Sequence, residues 1–165
     1  PLPTPPKADV VAILNSKLMS RELRAAFAIM ALRGLRVGGL PNLTINYEAH
    51  VFSTTSKSKE YRGNFDDAIQ IPGCKSILEY FKVFKGKRMP FAELSDSKLK
   101  MQVAYWMAKM AKNGLISSVF SAHDFRHFYA SHHYQVNKDI YRLKTLLNHG
   151  SIAVTETYLK TLNLI

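Results

Sequence analysis

The sequence predicts an α+β fold dominated by helices, in which a small antiparallel sheet is flanked by helical segments. Two observations lead to this prediction. Apolar residues recur at helical spacing along most of the chain, and only between residues 42 and 72 does the spacing change to a period of two. The chain has 165 residues, of which 47% are hydrophobic, enough to bury the core of one domain. A three-stranded sheet with helices on both sides is therefore the expected architecture.

Capping residues predict the first two helices. The stretch TPPKADVVAILNSKL indicates a helix with Thr4 as its N-cap and prolines in its first turn. The stretch SRELRAAFAIMALRGL indicates a second helix that begins after Ser20 and ends at Gly34. Its predicted apolar stripe consists of Leu23, Phe27 and Met30.

Three short strands and five more helices are predicted after these. The strands are expected at NLTINY, HVFSTT and AIQIP, with the polar segment SKSKEYRGN between the second and the third. Ser121 and Asp124 have the spacing of a capping box at the start of one later helix. The predicted helical segments are residues 75–85, 97–113, 122–135, 139–148 and 151–158.

The charge balance favours a polyanionic partner. Lysine and arginine number 23 against 12 aspartates and glutamates, a net charge of +11, which is typical of proteins that bind nucleic acid. A single cysteine, Cys74, allows no internal disulfide and fits a reducing cytoplasm. No apolar run approaches the roughly 18 residues that a membrane span needs. A basic structural protein of a ribonucleoprotein stays open as an alternative.

The stretch HDFRHFYASHH combines histidines with an arginine at a predicted helix start. His123 and Arg126 share one helix face, near the end where free N–H groups favour a phosphate. His123 and His127 have the spacing of a metal-binding pair. No glutamate accompanies them as in zinc motifs, and Arg126 would repel a cation, so no metal site is predicted.

The stretch NHGSIAVTETYL places Tyr158 nine positions after His149. A phenol can attack phosphorus and leave a covalent phosphotyrosine. Its ordinary pKa near 10 means that it needs a base or a positive field to react at neutral pH.

The groups that could supply the base or the field are His123, Arg126, His149 and Arg36. Arg36 follows the second helix in RGLRVGGL, where a guanidinium could grip two phosphate oxygens, and Arg33 is its competitor for this role. Lys57 and Lys59 lie at a predicted hairpin tip. A lysine there could contact a DNA backbone or give a proton to a leaving oxygen.

In chain order, the stretches RGLRVGGL, SKSK, HDFRH, LNH and TETYL resemble the catalytic domain of the tyrosine recombinases, the phage-integrase and Xer-like family. The resemblance spans nearly the whole chain. It implies a site-specific DNA recombinase or integrase that cleaves and rejoins strands through a covalent 3′-phosphotyrosine, without metal or cofactor.

The resemblance also implies a role for each of six residues. Arg36 and Arg126 would bind the scissile phosphate, and His149 would donate a hydrogen bond to it. Tyr158 would be the nucleophile, with His123 assisting its proton transfer. Lys57 would protonate the leaving 5′ oxygen. Lys59 stays open as the alternative to Lys57, which is preferred because it follows the small Ser56.

Two positions depart from the family pattern. Gly39 stands where the family has an acidic residue, so a supporting carboxylate is missing or comes from Glu48, Asp124 or Glu156. Asn148 replaces the glycine before the second histidine, a mild change because asparagine tolerates turn conformations.

The predicted organisation is a linker over residues 1–6, left from an absent N-terminal DNA-binding domain, and the catalytic domain over residues 7–165. The resemblance implies double-stranded DNA as partner, a tetramer on DNA from a protein monomeric alone, and cytoplasmic origin in a prokaryote, virus or mobile element. The alternatives are a type IB topoisomerase or telomere resolvase, and an inactive DNA-binding relative, which Gly39 favours.

Overall fold

The computed structural model describes residues 2–165 and confirms the predicted fold class. The described residues form seven α-helices and one antiparallel sheet with strand order β1-β2-β3. The strands are β1 (Thr44–Asn46), β2 (Val51–Ser56) and β3 (Lys59–Asn64). The helices are α1 (Lys7–Leu14), α2 (Arg21–Arg33), α3 (Ile77–Tyr80), α4 (Asp96–Lys112), α5 (Ala122–Asn137), α6 (Ile140–Leu146) and α7 (Ile152–Thr161).

Helix α2 is the centre of the core. It begins as predicted, because the Ser20 hydroxyl accepts a hydrogen bond from the Leu23 N–H at 3.1 Å. It ends at Gly34, whose φ of 76° is left-handed. The predicted stripe is buried, but so is every residue from 25 to 33, because α1, α3 and α5 pack around the helix.

The predicted N-cap of the first helix was wrong. Helix α1 has Pro6 as its N-cap residue, and no side chain caps it. Thr4 lies two positions further out. Proline has no N–H and its ring favours an extended residue before it, so Pro5 and Pro6 hold the chain extended until Lys7.

The third predicted strand was also wrong. The segment AIQIP is irregular, and β3 lies instead in the polar segment expected to connect the strands. Residues Lys57 and Ser58 form the hairpin turn, with φ of 51° and 61°. Strand β3 lacks an apolar alternation because much of it is exposed. Ile69 is buried without pairing in the sheet, and its N–H donates to the Leu32 carbonyl at 2.8 Å.

The predicted helices after the sheet are present, with one change. The segment predicted as residues 75–85 is divided into the short α3 and a 3-10 turn, Phe81–Phe84. Helix α5 begins with the predicted capping box, in which the Asp124 carboxylate accepts from the Ser121 N–H at 2.8 Å. Across residues 2–165, no helix has the length and apolarity needed to cross a membrane.

A buried arginine joins the sheet to the helices. Arg33 is 1% exposed, and its Nε donates to the Asn64 carbonyl at 2.8 Å. Its Nη2 donates to the Tyr61 hydroxyl at 2.6 Å, and its guanidinium lies 5.3 Å from the centre of the Phe52 ring. Arg33 therefore points into the core.

Candidate active site

The motifs that lie far apart in sequence meet at the C-terminal end of α2, and Arg126 joins them. This residue of α5 is 5% exposed. Its Nη1 donates to the Gly34 carbonyl at 2.7 Å, and its Nη2 donates to the Leu147 carbonyl at 2.7 Å. One side chain thus connects α5 to the turn that carries Arg36 and to the turn that precedes His149.

Arg126 remains a cation in this setting. Burial lowers its pKa to about 10, and the charge of Arg36 acts in the same direction. A guanidinium has five N–H donors, and the two carbonyl bonds leave others for a ligand. Arg36 is exposed at the start of the turn Val37–Gly39, unlike its competitor Arg33, which lies in the core.

Tyr158 lies inside this cluster. Its ring centre is 5.7 Å from the ring centre of His127 and 5.7 Å from that of His149. Within the described part of the chain, the Tyr158 hydroxyl is buried and has no hydrogen-bond partner. Burial raises its pKa to about 12, against the lowering effect of Arg126 and Arg36.

His149 is held by a threonine of the helix that carries Tyr158. Its Nδ1 lies 2.9 Å from the hydroxyl oxygen of Thr155, which is fully buried. Burial, followed by the charges of Arg126 and Arg36, lowers the pKa of His149 to about 4. The preceding Asn148 has φ of 58°, so the replacement of the family's glycine suits this turn.

His123 lies in the first turn of α5 beside the buried His127. The two rings are 4.9 Å apart and nearly perpendicular, at 87°. Although His123 is exposed overall, partial burial of its ring lowers its pKa to about 4, assisted by His127, Arg126 and Arg36. His123 and His149 are therefore both neutral at pH 7.

The two lysines of the hairpin face different cavities beside Arg36. Lys57 and His123 line a cavity of about 690 Å³, which Arg36 also borders. Lys59 lines a narrower one with Arg126, and its Nζ donates to the Asn148 carbonyl at 2.5 Å. In residues 2–165 Lys57 has neither an ion pair nor a hydrogen bond through its side chain, so its ammonium group is available to a ligand.

The sequence matches the profile described as the phage integrase family over residues 7–163. The chain belongs to the phage integrase family. Its fold is similar to that of XerA recombinase, with 18% identity and a TM-score of 0.71, covering 96% of this chain and 58% of XerA. No relative was found among the curated proteins.

Two structures solved with DNA are similar to this integrase-family chain. The Tn1549 transposon integrase, in complex with transposon right end DNA, has 16% identity and a TM-score of 0.68, covering 95% of this chain and 61% of the integrase chain in that structure. The XerH site-specific recombinase, bound to a palindromic difH substrate, has 17% identity and a TM-score of 0.61, covering 98% and 50%. The chain therefore spans only part of each of these proteins.

A side chain at Gly39 would be tight against Thr54. A Cβ at this position would lie 3.0 Å from the hydroxyl oxygen of Thr54, which donates to the Gly39 carbonyl. Among the three alternative carboxylates, Glu48 lines a groove of the sheet away from the cluster, and Glu156 is exposed on α7. Asp124 is buried in α5 and lies in the cluster.

Three further residues at the integrase-family site were not predicted. In the sequence His127 shows only the spacing of a metal ligand, whereas in the structure it packs against Tyr158. Thr155 has no signal beyond lying on the helix of the tyrosine. Asp96 lines the larger cavity, with one carboxylate oxygen 3.2 Å from Lys100 Nζ and the other buried without a partner among residues 2–165.

The lowered pKa values predict a loss of stability in acid. The unfolded imidazoles titrate near pH 6.5, whereas His123 and His149 titrate near 4 in the folded state. Between these values the unfolded chain binds more protons than the folded chain. The contribution of the two histidines to the free energy of unfolding is therefore complete above pH 6.5 and decreases as the pH falls towards 4. Urea unfolding at pH 7.0 and about pH 4.5 measures this change. We expect a smaller decrease in the variant His149→Gln, and an equal decrease in both proteins would contradict the assignment.

Proposed function

We propose that this chain is the catalytic domain of a site-specific DNA recombinase or integrase that cleaves and rejoins strands through a 3′-phosphotyrosine at Tyr158. The observation that carries the proposal is the setting of its hydroxyl. The group is buried and has no hydrogen-bond partner among the described residues. It feels the charges of Arg126 and Arg36, and no carboxylate of residues 2–165 forms an ion pair with either arginine within 4.0 Å. A phosphate entering this cluster would meet both a nucleophile and a positive field.

The proposed reaction proceeds by in-line attack. Arg36 and Arg126 bind the non-bridging oxygens of the scissile phosphate with their remaining N–H groups. The Tyr158 oxygen attacks phosphorus while its proton passes to the neutral His123. The bond to the 5′ oxygen breaks, and this oxygen takes a proton from Lys57. The 5′ hydroxyl of a DNA strand then attacks the phosphotyrosine, which reverses these steps and restores the free tyrosine.

His149 has a separate role in this proposal. When the Thr155 hydroxyl donates to Nδ1, the neutral imidazole carries its proton on Nε2. That N–H is then a donor for a phosphate oxygen. The hydrogen bond stabilises this oxygen more strongly as negative charge develops on it in the transition state. Thr155 orients the ring in the way that outer partners orient metal-bound histidines.

We further infer that the partner is double-stranded DNA. The net charge of +11 supports this, and so do the DNA complexes of the Tn1549 integrase and XerH. This proposal also includes a linker over residues 1–6, a catalytic domain over residues 7–165, a tetramer on DNA and a cytoplasmic location. Residue 1 lies outside the described residues.

A nicked suicide substrate carrying the attachment site tests the proposal. Its cleaved end diffuses away, so a covalent protein–DNA adduct accumulates and is visible on a denaturing gel. We expect an adduct with the wild type and none with Tyr158→Phe, while both bind the DNA equally. Binding without an adduct in the wild type would favour the inactive DNA-binding relative. Relaxation of supercoiled DNA without exchange between two sites would favour a topoisomerase.

The choice between the two lysines has its own test. We expect Lys57→Ala to reduce cleavage by about 10²–10⁴-fold, the usual contribution of a positioned acid, and Lys59→Ala to reduce it much less. A substrate whose leaving 5′ oxygen is replaced by sulfur needs no proton donor. This substrate should restore cleavage by Lys57→Ala, and restoration of Lys59→Ala alone would assign the acid to Lys59.

A further inference from the structure

The segment before α1 contacts both helices that carry the proposed nucleophile and its neighbours. The Leu2 N–H donates to the carbonyl of Thr161, the last residue of α7, at 3.0 Å. The next residue, Pro3, has its carbonyl oxygen 3.0 Å from Nδ1 of His127 on α5. Two consecutive residues thus join α5 to α7 on the side of the cluster where Tyr158 lies.

His127 is the side chain through which this segment reaches the tyrosine. It is 4% exposed, and its ring is in contact with that of His123 and with that of Tyr158, tilted by 56° to the latter. A carbonyl oxygen only accepts hydrogen bonds, so Nδ1 of His127 carries a hydrogen and donates to Pro3. Asp124 has a carboxylate oxygen 3.5 Å from the same nitrogen. The rotation of the ring is therefore fixed at Nδ1.

We propose that His127 is a positioning residue for Tyr158, and that the backbone carbonyl of Pro3 sets the orientation of its ring. This inference rests on the proposed function of Tyr158 as nucleophile. The His127 ring forms one wall of the slot that holds the tyrosine ring, and the His149 ring forms another. A small error in the placement of a nucleophile reduces the rate strongly, so the segment before α1 influences cleavage without touching DNA.

Substitutions at His127 separate this role from simple packing. Asparagine places an amide N–H close to the position of Nδ1 and preserves the bond to Pro3. Glutamine places its amide at the position of Nε2, and phenylalanine fills the volume without any donor. A residue that only packs would tolerate phenylalanine better than asparagine, whereas a positioning residue held through Nδ1 gives the opposite order.

The first measurement is the rate of adduct formation at saturating suicide DNA. We expect His127→Asn to stay within about threefold of the wild type and His127→Gln and His127→Phe to fall by about tenfold or more, with the Kd for DNA unchanged. The proposal would be overturned if the rate of His127→Asn fell as far as that of His127→Phe, or if the rate of His127→Phe matched that of the wild type. Thermal unfolding of each variant establishes that the compared proteins are folded.

The second measurement does not depend on cleavage. In protein labelled at tyrosine Cζ with ¹³C, the Tyr158 resonance is identified by its absence in Tyr158→Phe. We expect this resonance to shift in His127→Gln and in the chain that begins at Thr4, and to shift no further when both changes are combined. In His127→Asn it should move only by the small amount that loss of the His127 ring current causes, well short of the shift in His127→Gln. An unchanged resonance in both altered proteins would overturn the proposal even if adducts form. If the wild type forms no adduct, the proposed function fails, and this resonance still decides whether His127 positions Tyr158.

Discussion

Replacing Arg126 with lysine is expected to abolish adduct formation and to lower the free energy of unfolding by about 2–4 kcal/mol. The guanidinium donates to the carbonyls of Gly34 and Leu147, both at 2.7 Å, from a position that is 5% exposed. A lysine has one nitrogen on a flexible chain and cannot reproduce the planar fork between two carbonyls. At least one buried carbonyl would lose its partner, and the turns that carry Arg36 and His149 would separate.

Arg36→Lys is the matched control for this variant. Arg36 is exposed, and its side chain forms no hydrogen bond to the rest of the described chain. We expect this variant to lose adduct formation strongly while its urea unfolding stays within about 0.5 kcal/mol of the wild type. An Arg126→Lys protein as stable as Arg36→Lys would show that the two carbonyl bonds do not hold the site together.

Gly34→Ala is expected to lower the free energy of unfolding by about 3 kcal/mol or more. The left-handed φ of 76° disfavours any Cβ by about 1–2 kcal/mol. In addition, a Cβ here would lie 2.5 Å from Cδ2 of the Tyr129 ring, closer than such contacts allow. Tyr129 is fully buried, and its hydroxyl donates to the Asp67 carbonyl at 2.9 Å, so the ring cannot move aside easily.

Gly114→Ala distinguishes the two causes. Gly114 has a similar φ of 73°, and nothing lies within 4 Å of the position of its Cβ. Urea unfolding should therefore show a loss of only about 1–2 kcal/mol for Gly114→Ala. Equal losses in the two variants would mean that the contact with Tyr129 has no effect. We also expect Gly34→Ala to weaken adduct formation, because the Gly34 carbonyl is a hydrogen-bond acceptor for Arg126.

The sequence predicted the ends of helices correctly where residues within one helix turn determine them. Ser20 and Gly34 delimit α2 because the cap and the left-handed residue act within one helix turn. The capping box at Ser121 likewise begins α5, and this places His123 and Arg126 on one helix. The order of the motifs then predicted the family, which is confirmed.

Tertiary contacts decided the features that the sequence did not reveal. Strand β3 has few apolar residues, and its pairing with β2 through the turn at Lys57 defines it. Arg33 and Arg36 are neighbours in sequence, but only packing shows that the first is buried between the sheet and α6. The contacts of His127 with Pro3 and Tyr158 join residues that are distant in sequence, so no local pattern predicts them.

The most direct test of the proposed chemistry is to identify the residue joined to DNA. The adduct from the suicide substrate is digested with trypsin and nuclease, and the peptide that carries a nucleotide is sequenced by mass spectrometry. We expect a nucleotide attached through its 3′ phosphate to Tyr158, and a free 5′ hydroxyl on the released strand. A nucleotide on any other residue, or a linkage through a 5′ phosphate, would contradict the proposal that Tyr158 is the nucleophile of this site.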